Sequence, residues 1–169
     1  MKITVLDGYT ASHGNFSWDW LNQYGDVTIY DRTPENLVFE RSKNSDVLFI
    51  NKIIIDGSMI SRLTKLKYIG LMSTGCNVVD ISAATAKNII VTNVPVYSTN
   101  AVAQMVFSLI MEHTNMVSKH SDSVKSGEWS KCKDFCYWLG NLTELDGKTI
   151  GIIGFGKIGQ KVAKIAEAF

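Results

Sequence analysis

The sequence contains few cysteines, and none of them forms a Cys-x-x-Cys pair. Only Cys76, Cys132 and Cys136 occur in 169 residues. Disulfide scaffolds need paired cysteines at high density, and structural zinc sites need two close pairs of ligands. The sequence therefore argues against both kinds of site. Unpaired thiols fit a reducing compartment, so we expect a cytoplasmic protein that holds no metal.

The sequence also lacks an excess of charge of one sign and any long apolar run. Its 17 Lys and Arg residues nearly balance 16 Asp and Glu residues, whereas nucleic-acid binding usually needs a basic surface. The longest apolar stretch, 101–111, is interrupted by Gln104 and Ser108 and is far short of the roughly 20 residues of a membrane-spanning helix. Asp7 comes too early for a signal peptide. We therefore expect neither a nucleic-acid partner nor a membrane partner.

What is present over the first 96 residues is an alternation of short apolar runs and helix signals. Three of the five runs lack polar alternation or carry only one Thr, which is typical of strands covered on both faces. Five strands with intervening helices indicate an open parallel α/β sheet with right-handed crossovers. We interpret residues 1–96 as a flavodoxin-like domain, with strands predicted at 3–6, 27–30, 47–50, 68–71 and 89–92.

Three of the intervening segments begin with residues that cap helices. Thr33 precedes Pro34, which suits the first helical position. Asp56 is predicted to cap a helix over 57–66, and Asp80 a helix over 81–87. Each cap marks the start of a crossover between two predicted strands.

Residues 97–169 follow a different pattern. Dense apolar residues predict one long helix over 101–125 that ends before Gly127. A helix that is apolar on more than one side is buried on several sides, so it should pack on a second domain, a partner subunit or both. The aromatic segment 128–142 shows no regular period and is predicted to be an ordered loop.

A glycine-rich motif near the end of the sequence carries the chemistry. A predicted strand over 148–153 runs into Gly154-Phe155-Gly156-Lys157-Ile158-Gly159, followed by a predicted helix over 160–169. In dinucleotide-binding folds the first glycine permits the tight turn, the second lets the backbone approach a pyrophosphate, and the third allows close helix–strand packing. The free N–H groups at the helix start then face the phosphates. The alternative is a glycine turn in an unrelated βα unit.

The dinucleotide site predicted from this motif is incomplete. The acid that binds the ribose hydroxyls normally follows about 20 residues further on, and only ten residues follow Gly159. Glu167 lies among them, but on the predicted helix. We therefore expect a fragment that ends inside its cofactor domain. The residue that selects NAD or NADP is not in this sequence.

Four stretches, in order, resemble the D-2-hydroxyacid dehydrogenases, and within them the glycerate dehydrogenase (hydroxypyruvate reductase) group. They are LDGYT at 6–10 with Trp18, STGCNVVD at 73–80, NVPVYSTNAVAQ at 93–104 and GKTIGIIGFGKIG at 147–159. Gln104, where many relatives have glutamate, agrees with the glycerate group. The resemblance implies that residues 1–96 are the N-terminal part of a flavodoxin-like substrate domain. Residues 97–169 would then hold the crossing helix and the first βα unit of a truncated Rossmann domain.

The resemblance also implies roles for particular residues. Backbone N–H groups around Thr74 and Gly75 would hold a substrate carboxylate, and Thr74 would lie near the nicotinamide. Asn51 and Lys52 follow the third strand, at the sheet edge where ligands bind in open α/β folds, although a solvated loop pair is an equal alternative. The cofactor would contact Gly154, Gly156, Lys157, Ile158 and Gly159.

The family's catalytic histidine, glutamate and arginine have no counterpart here, since His13, His113 and His120 do not match the catalytic position. The implied function is hydride transfer between NAD, with NADP not excluded, and a 2-hydroxy/2-keto acid, with glycerate and hydroxypyruvate favoured. The chain alone should be inactive, and it should form a homodimer. Two alternatives remain open: an NAD-sensing binding protein without turnover, and a folded substrate domain with a vestigial tail.

Overall fold

The computed structural model describes residues 1–13 and 16–169 and divides the chain into two compact units, Met1–Val96 and Tyr97–Phe169. Each unit has its own apolar cluster. Across the described residues, no helix combines the length and apolar character needed to cross a membrane.

The first unit is built on a five-stranded sheet in which every pairing is parallel. The strand order is β2-β1-β3-β4-β5, which is the flavodoxin-like order with its switch point between β1 and β3. In the register, Ile3 of β1 lies between Val27 of β2 and Val47 of β3. The fold class predicted from the sequence is therefore confirmed. The strands are β1 Lys2–Val5, β2 Asp26–Ile29, β3 Val47–Ile50, β4 Tyr68–Leu71 and β5 Ile90–Thr92.

Short helices connect these strands and cover the sheet. Helices α2, α3 and α4 bring Val38, Ile60 and Ala84 into one cluster with buried residues of β3 and β4. On the other face, Leu21 packs with Ile3, Val5 and Val47. The helices are α1 Tyr9–Ser12, α2 Val38–Ser42, α3 Gly57–Arg62 and α4 Ile81–Ala86, with 3₁₀ helices at Asp19–Gln23 and Glu35–Leu37.

Two of the three predicted helix caps are confirmed. The Asp56 carboxylate accepts a hydrogen bond from the Met59 N–H, and the Asp80 carboxylate accepts one from the Ala83 N–H. The third prediction is wrong, because the Thr33 hydroxyl donates to the Leu6 carbonyl instead. Pro34 is extended, and a 3₁₀ turn precedes α2, which has no side-chain cap.

Because the Asp56 cap is ionic, its contribution to stability should depend on pH. The Met59 N–H, and then the Ser58 hydroxyl, hold the pKa of the Asp56 carboxyl below its ordinary value of 3.8. A lowered folded-state pKa stabilises the native state above the unfolded-state pKa, and this contribution is lost as the pH falls through the folded-state value. We expect the stability gap between the wild type and Asp56→Ala to be full at neutral pH and to narrow below pH 3.8, measured by denaturation followed through an α3 amide signal. A gap that does not change with pH would contradict this assignment.

The second unit is helical, and its long helix is broken. Helices α5 Thr99–Asn115 and α6 Val117–Lys125 meet at Met116, whose φ of 49° and ψ of 44° are left-handed. The predicted continuous helix over 101–125 is therefore wrong. The turn is supported locally, since the Glu112 carboxylate accepts a hydrogen bond from the Ser118 N–H at the start of α6. Helix α6 does end before Gly127, whose φ is +82°.

The rest of the second unit differs from the sequence prediction in three places. The segment 128–142 begins with a short helix, α7 Glu128–Lys131, rather than being a loop throughout. Helix α8 Lys157–Ala166 begins three residues before the predicted start. The predicted strand over 148–153 does not form. A strand needs a neighbour for its backbone hydrogen bonds, and no strand lies in residues 97–169.

Helices α5 and α8 hold the second unit together. Ala103 and Phe107 of α5 pack with Val162 of α8, and the Phe107 ring stacks on the Phe169 ring with 5.3 Å between centroids. Another side of α5 is open to solvent in the single chain: Met105 is 58% exposed and Leu109 is 63% exposed. The expectation that α5 is buried on several sides is thus met on one side only.

Candidate functional site

The carboxyl ends of β1, β3 and β4 present the polar residues of the first unit. The neighbouring strands β3 and β4 are in register, with Ile50 opposite Leu71. The pairs Asn51–Lys52 and Thr74–Gly75 follow these two strands, so both pairs lie at one edge of the sheet. Ligands of open parallel sheets bind at this edge.

Asp7, which directly follows β1 and Leu6, anchors the loop after β3. It is only 3% exposed. Its carboxylate accepts hydrogen bonds from the Asn51 N–H at 2.8 Å and from the Lys52 N–H at 2.7 Å. The Asn51 side-chain amide donates to the Thr10 hydroxyl at 3.0 Å, and that hydroxyl donates to the Asp7 carbonyl. No role is predicted for Asp7 from the sequence, although an acid at the end of a buried strand is a signal that could have identified it.

Lys52 supplies a cationic side chain at this edge. Its side chain forms no ion pair with any described residue, while its backbone is held by Asp7. Lys52 also borders a cavity of about 340 Å³ whose other lining residues are Thr33, Glu35, Val38, Ile53, Ile54, Asp56, Ser58 and Met59. The Asn51 side chain, unlike that of Lys52, already donates a hydrogen bond to a neighbouring side chain, the Thr10 hydroxyl.

The loop after β4 contains two successive backbone N–H groups that are not hydrogen-bonded within the described residues. Thr74 and Gly75 are exposed, and within residues 1–13 and 16–169 nothing accepts a hydrogen bond from their N–H groups. The loop's carbonyls are bonded: the Ser73 hydroxyl donates to the Gly75 carbonyl, and the Asn93 side-chain amide donates to the Thr74 carbonyl at 2.8 Å. Gly75 does not have a positive φ, so the turn is not an alternating right- and left-handed nest. Its donors are nevertheless held in place, partly by Asn93, for which the sequence predicted no role.

The three motif glycines of the second unit have three different environments. Gly154 has a φ of +94°, which a residue with a side chain rarely adopts. A Cβ built on Gly159 would lie 2.3 Å from the Gly154 carbonyl oxygen, so α8 approaches this backbone as closely as glycine permits. Gly156 precedes α8 with an extended backbone, and a Cβ built on it would have no atom within 4 Å.

The start of α8 is suited to an anion. The first helical hydrogen bond runs from the Gln160 N–H to the Gly156 carbonyl, which leaves the N–H groups of Lys157, Ile158 and Gly159 without partners in the helix. The first turn contains no acidic residue, and Lys157 is its first residue. A cation there is unfavourable next to the positive end of the helix dipole. A bound phosphate, in contrast, would be attracted by both the Lys157 side chain and the helix dipole. The residues therefore fit a dinucleotide pyrophosphate, with open space at Gly156 to admit it.

The other candidate groups have structural surroundings. The Leu139 N–H donates to His120 Nε2, and His120 Nδ1 lies 2.8 Å from the Met116 carbonyl. The His13 ring packs against Tyr9. Glu167 follows the last residue of α8 and is exposed. No group of three potential metal-binding side chains occurs in the part of the chain that is described.

Comparisons with known proteins agree in what they match. A family model described as D-isomer specific 2-hydroxyacid dehydrogenase, catalytic domain, matches residues 8–154. The chain is 39% identical over 171 residues to a hydroxypyruvate reductase of Blautia hydrogenotrophica, covering 99% of this chain and 53% of that protein. It is 38% identical over 136 residues to a glycerate dehydrogenase of Methylorubrum extorquens, covering 80% of this chain and 43% of that protein.

A solved structure shows the same similarity in three dimensions. An acyclic imino acid reductase in complex with NADPH and D-Arg matches with a TM-score of 0.75 at 31% identity, over 99% of this chain and 53% of that one. The chain spans about half the length of the relatives it matches.

Proposed function

Since the chain belongs to the D-isomer specific 2-hydroxyacid dehydrogenase family, we propose that it supplies substrate-binding and cofactor-binding elements of an NAD(P)-dependent oxidoreductase. The reaction is hydride transfer between the nicotinamide and a 2-hydroxy/2-keto acid, and hydroxypyruvate and glycerate are the favoured pair. The names of the two similar curated proteins support this choice. The observation that carries the proposal is the glycine turn, where three N–H groups at the start of α8 have no hydrogen-bond acceptor in the helix and a Cβ on Gly156 would meet open space.

The first unit would hold the acid. A 2-keto acid presents a carboxylate, which the unpaired N–H groups of the exposed residues Thr74 and Gly75 can bind as hydrogen-bond donors. Lys52 would add a positive charge at the same edge of the sheet. Asn51 contributes mainly to loop geometry, since its side-chain amide already donates to Thr10.

The second unit would hold the cofactor. The N–H groups of Lys157 and Ile158, with the Lys157 charge, would face the pyrophosphate, and Gly154 and Gly159 would shape the turn. The bound nicotinamide supplies the hydride. The chain's own residues bind and orient both reactants. The proposal includes both NAD and NADP as the cofactor, since a neighbour of 31% identity is in complex with NADPH.

A chimera tests this function. Residues 1–169 are joined to the part of the Blautia relative that the match leaves uncovered, and oxidation of NADH or NADPH is followed at 340 nm with hydroxypyruvate or glyoxylate. We expect turnover by the chimera and none by residues 1–169 alone, because His13, His113 and His120 do not match the family's acid–base position. A folded chimera that binds nucleotide without turnover would instead favour the NAD-sensing alternative. Nucleotide titration of residues 1–169 separates the dehydrogenase and the NAD-sensing protein from the third possibility, a substrate domain with a vestigial tail.

We also propose a homodimer formed through residues 97–169. Val102, Met105 and Leu109 expose an apolar side of α5, and soluble monomers rarely leave large apolar patches uncovered. Light scattering should give about twice the chain mass of 18.8 kDa, and Leu109→Glu should shift the mass towards that of one chain. Asn115→Glu, on the same helix outside this apolar side, is the matched control. A monomer at micromolar concentration would contradict the proposal.

A further inference from the structure

The buried Asp7 carboxylate occupies the place in the first unit where an open parallel sheet ordinarily receives a ligand. The strand order β2-β1-β3-β4-β5 puts the switch point between β1 and β3, and ligands bind outside the carboxyl ends of the strands at such a point. Asp7 follows β1 there, and the two N–H groups that bind its carboxylate belong to the loop after β3.

The hydrogen bonds of Asp7 are those that a bound anion would make. A carboxylate acts only as an acceptor, and here it meets the N–H groups of two successive residues, Asn51 and Lys52, at 2.8 and 2.7 Å. Hydrogen bonds to an ionised acceptor are short and strong. The residues involved are 44 and 45 positions apart, so the contact continues the pairing of the adjacent strands β1 and β3 into the loops that follow them.

A second link from Thr10 reinforces the same contact. The Thr10 hydroxyl donates to the Asp7 carbonyl and accepts from the Asn51 side-chain amide. Asn51 is therefore fixed by both its backbone and its side chain, whereas Lys52 is fixed by its backbone alone. The Lys52 side chain leaves this loop without an ion pair among the described residues.

We propose that Asp7 is an internal anion at the switch point and a positioning residue for Lys52. It takes the N–H groups that an external carboxylate or phosphate could otherwise use, and it orients the loop so that the Lys52 ammonium is available to an incoming acid. The positioning role for Lys52 rests on the function proposed above, whereas the role of Asp7 as an internal anion does not.

Chemical rescue tests the internal-anion role of Asp7 on residues 1–169 without any enzymatic assay. Asp7→Ala removes a carboxylate and leaves a space that formate can fill. We expect the Asn51 and Lys52 amide hydrogens to exchange at least about tenfold faster in Asp7→Ala than in the wild type. Adding formate should restore slow exchange and the wild-type amide shifts, while chloride at the same ionic strength should not.

Two control variants separate this effect from general destabilisation. Asp46 accepts a hydrogen bond from the Lys2 N–H at 2.8 Å at the other end of the sheet, so Asp46→Ala should leave the Asn51 and Lys52 amides unchanged with or without formate. Thr10→Val should alter the Asn51 side-chain signal but retain slow exchange at Lys52. If Asp7→Ala does not fold, Asp7→Asn keeps the shape and one acceptor, and the Lys52 amide should still exchange faster.

Unchanged exchange at Asn51 and Lys52 in both Asp7 variants would overturn the internal-anion role. So would formate that leaves the amides of a folded Asp7→Ala chain unaffected. The positioning role is measured in the chimera: Asp7→Asn should raise the KM for hydroxypyruvate about tenfold with a smaller change in kcat and no change in the KM for the nucleotide. An active chimera with unchanged KM for the acid overturns that role. An inactive chimera argues against the proposed function and leaves the rescue result standing.

Discussion

Gly156→Val should strongly weaken nucleotide binding and leave the second unit folded. The Gly156 backbone has φ −74° and ψ −168°, which any residue adopts, and a Cβ built there would have no atom within 4 Å. A valine therefore fits the protein, but it fills the space through which a pyrophosphate would reach the N–H groups of Lys157 and Ile158. Hydrogen bonds to charged groups contribute about 1.5–3 kcal/mol each, so the loss of one or two corresponds to a fall in affinity of about 100-fold.

The measurement is a titration of NADH fluorescence in the chimera, together with thermal unfolding. Gly156→Ala should give a smaller loss of affinity, because its single Cβ takes up less of the same space. Unfolding temperatures within a degree or two of the wild type are expected for both variants. Wild-type affinity in Gly156→Val would refute the assignment of this turn to a pyrophosphate.

Gly159→Val should have a different effect from Gly156→Val, because it should destabilise the fold of the second unit and not only obstruct a ligand. Its Cβ would lie 2.3 Å from the Gly154 carbonyl oxygen and 3.2 Å from Ile152 Cγ2. A backbone oxygen cannot rotate away, so α8 must move, and the packing of Val162 against Ala103 and Phe107 is disturbed. Overpacking of this kind costs about 1–3 kcal/mol and occasionally more, and we expect the upper part of that range.

The check for Gly159→Val is hydrogen exchange in residues 1–169. Amides of α8 should lose protection, while amides of β3 in the first unit should retain it, since the two units have separate apolar clusters. Gly159→Ala is the graded variant and should lie between valine and wild type. Full α8 protection in Gly159→Val would show that the helix does not depend on the close approach. The two positions thus separate two roles of glycine: Gly156 leaves room for a ligand, and Gly159 lets α8 approach the backbone at Gly154.

Features that depend on residues close in sequence were the ones predicted correctly. Asp56 and Asp80 each accept a hydrogen bond from the N–H three residues later, so the cap and its partner stand in one short stretch of sequence. The apolar runs around Val47–Ile50 and Tyr68–Leu71 likewise identified strands. The glycine spacing from 154 to 159 marked a turn into a helix, and the structure has that turn and that helix.

Features that depend on distant partners were predicted wrongly or not at all. The segment 148–153 has the composition of a strand but no neighbouring strand in residues 97–169 to complete its hydrogen bonds. Thr33 has the chemistry of a cap, yet its hydroxyl donates to Leu6, 27 residues earlier. The break at Met116 was also missed, although its support is local, because one left-handed residue divides the helix without changing the apolar periodicity of the sequence.

The sequence by itself determined the parallel α/β class, two of the helix caps and the order of the motifs, because each of these arises from side-chain type and spacing over a few residues. The tertiary structure alone decided that Asp7 holds the loop at Asn51 and Lys52, and that Gly156 faces open space while Gly159 lies close to a carbonyl. The physical reason is that these facts are distances between groups brought together by packing. Hydrogen-bond partners 44 residues apart leave no periodic trace in the chain that connects them.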